Sequence, residues 1–394
     1  MHGVRACIGV AHGTGAGSGV LGAHVFLLQA ASPPSLLLDR YDNVEVLEVP
    51  RFGSSQPVLT IPEHSGRLNG PVPLISDATA AAQALADGHL AAVPTETVYG
   101  LGARADLPHA IARVYAVKGR PADHPLIVHV TDAEAAWEWA VEVPDYARAL
   151  ADEFWPGPLT LVLTRSARAS DAITGGQDTV ALRVPAHAAM QDVLHALADL
   201  TADSAVGVAA PSANRFGRVS PTTAEHVAEE LGDYLAEDDV ILRGGSSAIG
   251  VESTIVDCTG PSPVILRPGH VTERDVSLTT GMPLGESSHV RAPGTLASHY
   301  APHARVTLVE ASDEVAWPHD ADGVIGLLAL SSVQTPRGVV RLSAPESAAE
   351  YARVLYAALR EADALELASI VAVLPPADGI GTAVRDRLSR AATR

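Results

Sequence analysis

With 394 residues, 47% hydrophobic and 19% charged, the chain is long enough for roughly two globular domains and too apolar for a disordered one. A formal charge of −19 argues against gripping a nucleic-acid backbone through a broad basic surface, while leaving room for a local cationic pocket that takes a small anion. Two cysteines, Cys7 and Cys258, exclude a disulfide framework or a cysteine zinc site, and no run of about 18 apolar residues would span a bilayer.

Residues 1–72 read as an atypical, partly disordered extension. The stretch "AHGTGAGSGVLGAH" is glycine-rich, and "GSGVLG" (Gly17 to Gly22) fits a dinucleotide pattern only superficially: its apolar continuation soon meets "SPPS" and no βαβ unit surrounds it. The opening apolar run, interrupted by glycine, makes a poor secretory signal, so a cytoplasmic setting is expected.

Residues 73–277 alternate helical and strand patterns, which predicts an α/β domain with a large, partly antiparallel sheet. "DATAAAQALADG" reads as a helix capped by Asp77 and ended by Gly88, and "LAAVP" as the buried strand after it. "VPTETVYGLG" then supplies hydroxyls from Thr95, Thr97 and Tyr99 and a carboxylate from Glu96, more donors and acceptors than a turn ordinarily needs; Gly100 and Gly102 read as points where the backbone bends.

"ARVYAVKGRPADHPLIVHV" contains Lys118, the sole lysine of the chain, at the end of a predicted helix closed by Gly119 and Pro121. A cation complementing the helix dipole would account for it alone. Arg120 and His124 follow closely, and His129 interrupts an apolar strand, which together favour an anion pocket. In "TVALRVPAH" the guanidinium of Arg183 lies within an apolar strand, so it requires a carboxylate from the protein or from a ligand.

"VAAPSANRFGRVSPTTAEH" brings Ser212, Asn214, Arg215, Arg218 and Ser220 after a short strand; Ser220 before Pro221 reads as a helix start and so also as an anion site. "LRGGSSAIGVESTIVD" offers Gly244, Gly245, Gly250, Ser246, Ser247, Ser253 and Thr254 for a backbone nest, and Arg267 adds a cation at the end of "VILR". No Walker loop and no G-x-S-x-G elbow occurs. Residues 278–303 read as a linker, and residues 304–394 as a smaller Rossmann-like α/β unit. His299 and His303 are four apart, but Pro302 prevents the helix that would align them on a metal. The residues by themselves support a nucleotide-using enzyme without a P-loop, whose second substrate carries a carboxylate.

Six ordered motifs, "VPTETVYGLGA", the K-x-R of "VKGRPADHPL", "WPGPLTLVL", "DTVALRVPAH", "APSANRFGRVSPT" and "GVESTIVD" with "VILRPG", resemble the YrdC family in its two-domain form, and "HYAP" and "GIGTAVRDRLSRAA" extend the likeness toward residue 394. The resemblance implies a YrdC-like twisted mixed sheet followed by a small Rossmann-like domain. It also implies a reaction: L-threonine, bicarbonate or CO2, and ATP give threonylcarbamoyl-adenylate and pyrophosphate. Mg2+ would be held mainly by ATP rather than by protein side chains. A downstream tRNA transferase would take the product, with no stable nucleic-acid binding and no membrane involved.

By the same resemblance Lys118, Arg120, Ser212 and Asn214 form the catalytic signature, and Thr179, Ser220, Arg267 and Tyr300 add nucleotide contacts. Thr95, His129, Arg183, the backbone of Ala210, and Ser253 would hold threonine. The extension, and "APGTLAS" in front of "HYAP", depart from the family pattern. Two rival readings are a carbamoyl-adenylating carbamoyltransferase, which needs zinc or transferase domains this chain has no room for, and an RNA-binding or ribosome-assembly module, which the acidity disfavours.

Overall fold

A two-residue strand, β1 (Leu74–Ile75), leads into α1 (Ala78–Ala86), whose cap is the Asp77 carboxylate accepting the Thr79 N–H at 2.9 Å. Next come β2 (Ala91–Val93), β3 (Gly100–Arg104) and α2 (Pro108–Lys118), which starts at a proline and ends at Gly119 with φ +61°. β4 (Ile127–His129), α3 (Ala133–Trp137), α4 (Asp145–Phe154), β5 (Leu159–Thr164) and α5 (Asp171–Thr174) follow. Then β6 (Thr179–Arg183), α6 (Ala188–Thr201), β7 (Val208–Ala209), α7 (Ala224–Leu231), β8 (Val240–Leu242), β9 (Thr254–Asp257), β10 (Val264–Arg267) and α8 (Glu273–Thr280) complete the first half.

This computed structural model describes residues 72–294, 299–311 and 324–393. The features read at residues 1–71, Cys7 and "GSGVLG" among them, lie outside these, as does "TLAS" of the linker. Among the described residues the strands form a ten-stranded sheet in the order β1-β8-β2-β3-β7-β4-β6-β5-β9-β10, parallel at β1/β8, β8/β2, β4/β6 and β5/β9 and antiparallel elsewhere. Alternation assigns the layers: Ala91 and Val93 face α1 and α6 with Leu85, Val193 and Leu197, while Leu90 and Ala92 face the opposite core with Ile111 and Val114 of α2. Across β4, β6, β5 and β9 the cover is the linker itself, whose Ala292 and Val290 pack on Ile127, Val162, Ala181 and Ile255.

The second half contains β11 (Arg305–Glu310), β12 (Ile325–Leu328), β13 (Val340–Ser343), α9 (Ala348–Ala364), β14 (Ser369–Leu374) and α10 (Gly381–Ala392). Its four strands lie in the order β11-β14-β12-β13, all parallel, as the Rossmann-like reading expects. Val98, Val219 and Val251 of the first half are buried in the same apolar cluster as Tyr351, Leu355 and Tyr356 of α9, each such side chain contributing roughly 1.5–3 kcal/mol. No helix among the described residues is long and apolar enough to cross a membrane.

Three local readings change. Gly100 and Gly102 lie in β3 rather than at bends; they allow close approach, since a Cβ would stand 3.0 Å from the Ala210 Cβ and 2.9 Å from the Ala91 carbonyl respectively. The helix after Pro221 is capped by Thr223, whose hydroxyl accepts the His226 N–H at 3.2 Å, and Ser220 is not a cap. The linker begins later than residue 278, because α8 continues to Thr280 behind a Thr272/Asp275 capping box.

Candidate active site

β2 and β7 end and β3 begins at one edge of the large sheet, β4 and β6 end and β5 and β9 begin at the other, and a cavity is lined by residues from both sets of strand ends and their turns. Thr95, Thr97, Arg120, His129, Arg183, Ala210, Ser212, Glu252, Ser253 and Arg267 line it, and the linker closes it with Pro293, Gly294, His299 and Tyr300. Residues scattered over two hundred positions meet because the strands are short and the register is fixed: His129 and Arg183 are direct partners across β4 and β6.

One side of the cavity is organised by Arg183. It pairs with Glu96 at 2.7 Å, donates to the Thr97 hydroxyl at 2.9 Å and to the Gly157 carbonyl at 3.2 Å, so its carboxylate partner in this structure comes from the protein. Burial pushes the Glu96 carboxyl up, but Arg183 and the surrounding hydrogen bonds outweigh it and hold the group below its ordinary value. The Thr95 and Thr97 hydroxyls are 2.8 Å apart, and Thr95 donates to the Val98 carbonyl at 2.6 Å. Burial and then the Arg183 charge lower His129 to about 3, so its ring is neutral; its buried Nδ1 has no protein partner. The Ala210 N–H donates to the Ile127 carbonyl at 3.1 Å, and Ala210 lines the cavity.

The other side contains Arg120, Arg267 and Ser253. Arg120, buried, donates to the Pro125 carbonyl at 3.0 Å, and its Nε has no protein partner. Arg267 donates to the Ser253 carbonyl and hydroxyl and to the Pro293 carbonyl at 2.9 to 3.1 Å, tying β9 to the linker. The Ser253 hydroxyl also meets Thr160 at 2.7 Å. Lys118 stands behind this wall: its Nζ donates to the Ser212 and Asn214 carbonyls at 2.5 and 2.6 Å, and burial followed by the Arg120 charge takes its pKa well below the ordinary value. Asn214 shapes the same loop, donating to the Arg215 and Arg218 carbonyls at 2.8 Å each, with its Oδ1 unpartnered.

Besides Lys118 and Asn214, which stand behind the wall and do not line the cavity, two further expected contacts lie elsewhere. Thr179 opens β6 beside Thr164, at the opposite end of the strand from Arg183, and does not line the cavity. The Ser220 hydroxyl is buried and donates to Glu252 at 2.7 Å. The nest read from Gly244 to Thr254 does not form: the Gly244 N–H is taken by the Tyr99 hydroxyl at 3.1 Å, and Gly250 packs on α9, leaving Ser253 as the member of that set in the cavity wall. Sequence reasoning missed Glu252 as a wall residue, although a carboxylate between Val251 and Ser253 at the mouth of a strand is the available signal. It also weighed His299 only as half of a metal pair, which Pro302 rules out, whereas the ring is buried against the cavity and burial lowers it to about 3. Among the described residues no group of three or more His, Cys, Asp or Glu converges as a metal site would require.

Family models match both halves: one described as telomere recombination covers residues 83–269, and one described as the threonylcarbamoyl-AMP synthase C-terminal domain covers residues 264–393. The chain is 40% identical over 327 residues to a Pyrococcus abyssi protein and 37% identical over 331 residues to a Bacillus subtilis protein, both named threonylcarbamoyl-AMP synthase; each comparison covers 79% of this chain and 92% of the relative. Among solved structures, P. abyssi Sua5 complexed with L-threonine superposes with a TM-score of 0.72 at 38% identity, over 80% of this chain and 94% of that one.

Proposed function

The chain belongs to the two-domain threonylcarbamoyl-AMP synthase family, and we infer from that membership that it is a nucleotidyltransferase condensing L-threonine, bicarbonate or CO2, and ATP into threonylcarbamoyl-adenylate and pyrophosphate. The observation that carries the reading at the level of residues is the convergence of three buried arginines, Arg120, Arg183 and Arg267, on one cavity also lined by Thr95, Ser253 and a neutral His129.

Arg183 is already matched by Glu96, whereas Arg120 faces the cavity without a carboxylate, so the net positive charge lies on the Arg120 and Arg267 side. That side suits the triphosphate, and the Thr95, His129, Arg183 side suits the amino acid, with Ser253 between them. At about 3, His129 is too weak a base to take a proton from an ammonium near neutral pH; its part is to orient the amine or hydroxyl.

In the proposed reaction the free amine of threonine adds to CO2, forming the N–C bond of a carbamate and releasing one proton. A carbamate oxygen then attacks the α-phosphorus of ATP in line, and the P–O bond to pyrophosphate breaks. Arg120 and Arg267 offset charge on the phosphate oxygens, while Lys118 and Asn214 hold the loop carrying Ser212. The linker excludes water that would hydrolyse the carbamate and the mixed anhydride. Magnesium enters this scheme as the counter-ion of ATP. The product would pass to a tRNA threonylcarbamoyl transferase in the cytoplasm.

Pyrophosphate release from ATP tests the reading. It should require both L-threonine and bicarbonate, and serine should substitute poorly. Release independent of threonine, or RNA retention that weakens with salt and proceeds without ATP consumption, would favour the binding-module alternative.

A further inference from the structure

Glu252 is a point where the two halves of the molecule meet inside the cavity wall. Its Oε1 accepts the Ser220 hydroxyl at 2.7 Å; its Oε2 accepts the Tyr356 hydroxyl of α9 and Nε of Arg387 on α10, both at 2.8 Å. Arg387 is fully buried and reaches two further places: it donates to the Pro268 carbonyl, next to Arg267, at 3.0 Å, and it lies 5.5 Å from the Tyr300 ring centroid. Tyr300 in turn stacks on Tyr356 at 5.5 Å and is held with φ +62°, a conformation a tyrosine keeps only when its surroundings enforce it.

A buried ion pair is a poor way to gain stability, because desolvation offsets the attraction; its geometric specificity is the better account of its presence. Here the geometry is selective. Arg267 and Tyr300 line the side of the cavity assigned to ATP, with Ser220 buried behind Glu252 on that side, and Arg387, Tyr356 or Glu252 touches each of them or its immediate neighbour. On the threonine side, Arg183 is fixed by Glu96, Thr97 and Gly157, all of the first half.

We propose that Arg387 and Tyr356 are positioning residues through which the second domain sets the ATP half of the site and leaves the threonine half untouched. This rests on the functional reading above. The relay does not touch reacting atoms: it fixes Glu252, and Glu252 fixes Ser220, while Arg387 fixes the Arg267 turn and the Tyr300 ring.

The test uses the full chain with Arg387→Lys and Tyr356→Phe. Steady-state pyrophosphate release gives KM for each substrate with the other saturating, and calorimetry gives the affinity of a non-hydrolysable ATP analogue and of L-threonine separately. Both variants should weaken ATP or its analogue, about tenfold for Arg387→Lys and less for Tyr356→Phe, with threonine affinity changed less than about twofold. Equal weakening of both substrates, or of neither, overturns the proposal. Should Arg387→Lys fail to fold, Tyr356→Phe, which removes one hydroxyl, decides alone. A wild-type chain that released no pyrophosphate would refute the functional reading, while the binding measurements would still judge the relay.

Discussion

Lys118 shows how one side chain can hold a site together from behind. Its ammonium lies between the Ser212 and Asn214 carbonyls in a slot with 2% exposure, and Gly119 beside it meets the Arg215 guanidinium so closely that a Cβ would stand 3.0 Å from Nη2. A guanidinium is wider and planar, so entering that slot requires the two carbonyls to move apart. Lys118→Arg should therefore displace the Ser212 to Asn214 loop and lower turnover at least about tenfold, the loss typical of a disturbed charge-stabilising site. Stopped assays of pyrophosphate release check it, and unchanged turnover would show that the loop does not depend on this contact. The sequence made the importance of the position legible, because the sole lysine stood two residues from an arginine. It did not make the contact legible: the partners are backbone carbonyls 94 and 96 residues away, and carbonyls leave no signature in a sequence.

Among the elements, the strands and long helices were readable because their apolar period is strong, as in β5 with "LTLVLT" and α9 with its buried Tyr351, Leu355 and Leu359. The short α3 and α5, the polar α8 and the ten-residue α4 escaped notice: a turn or two of helix carries too few apolar positions to show a period, and α4 buries only Ala147, Leu150 and Ala151. β3 was hidden for a different reason: its glycines resemble a turn, yet they are what lets β2, β3 and the segment after β7 approach closely. Gly250 belongs to the same class. With φ +84° and a would-be Cβ 2.4 Å from the Ala352 carbonyl, it marks where the turn before β9 meets α9. Gly250→Ala should destabilise the chain by about 1–3 kcal/mol and loosen the Glu252 contacts, read as a lower denaturant midpoint accompanied by weaker ATP binding. A midpoint equal to wild type would mean that α9 moves aside without cost.

For the whole molecule, the neutral histidines at the cavity set an acid limit. Unfolded histidines titrate near 6.5, whereas burial keeps His129 and His299 neutral down to about 3 in the folded chain. Their contribution to stability is complete above the unfolded value and is lost as pH falls from there toward about 3, at roughly 1.4 kcal/mol per pH unit for each. Glu252 adds to the loss lower down: Arg387 and Arg267 outweigh the effect of its burial and hold it at about 2, so its share fades from its ordinary value toward that limit. Urea midpoints measured from pH 7.5 to 5 should fall monotonically; a flat profile would mean that the rings become protonated without unfolding.

A ribosome makes Glu252 135 residues before Arg387, an interval on the order of ten seconds at common elongation speeds. Throughout that time the nascent first sheet contains a carboxylate whose guanidinium does not yet exist. A chain stalled short of α10 therefore lacks the guanidinium that holds Glu252, and on the relay proposed above it is the nucleotide side of the cavity that waits for the last helix.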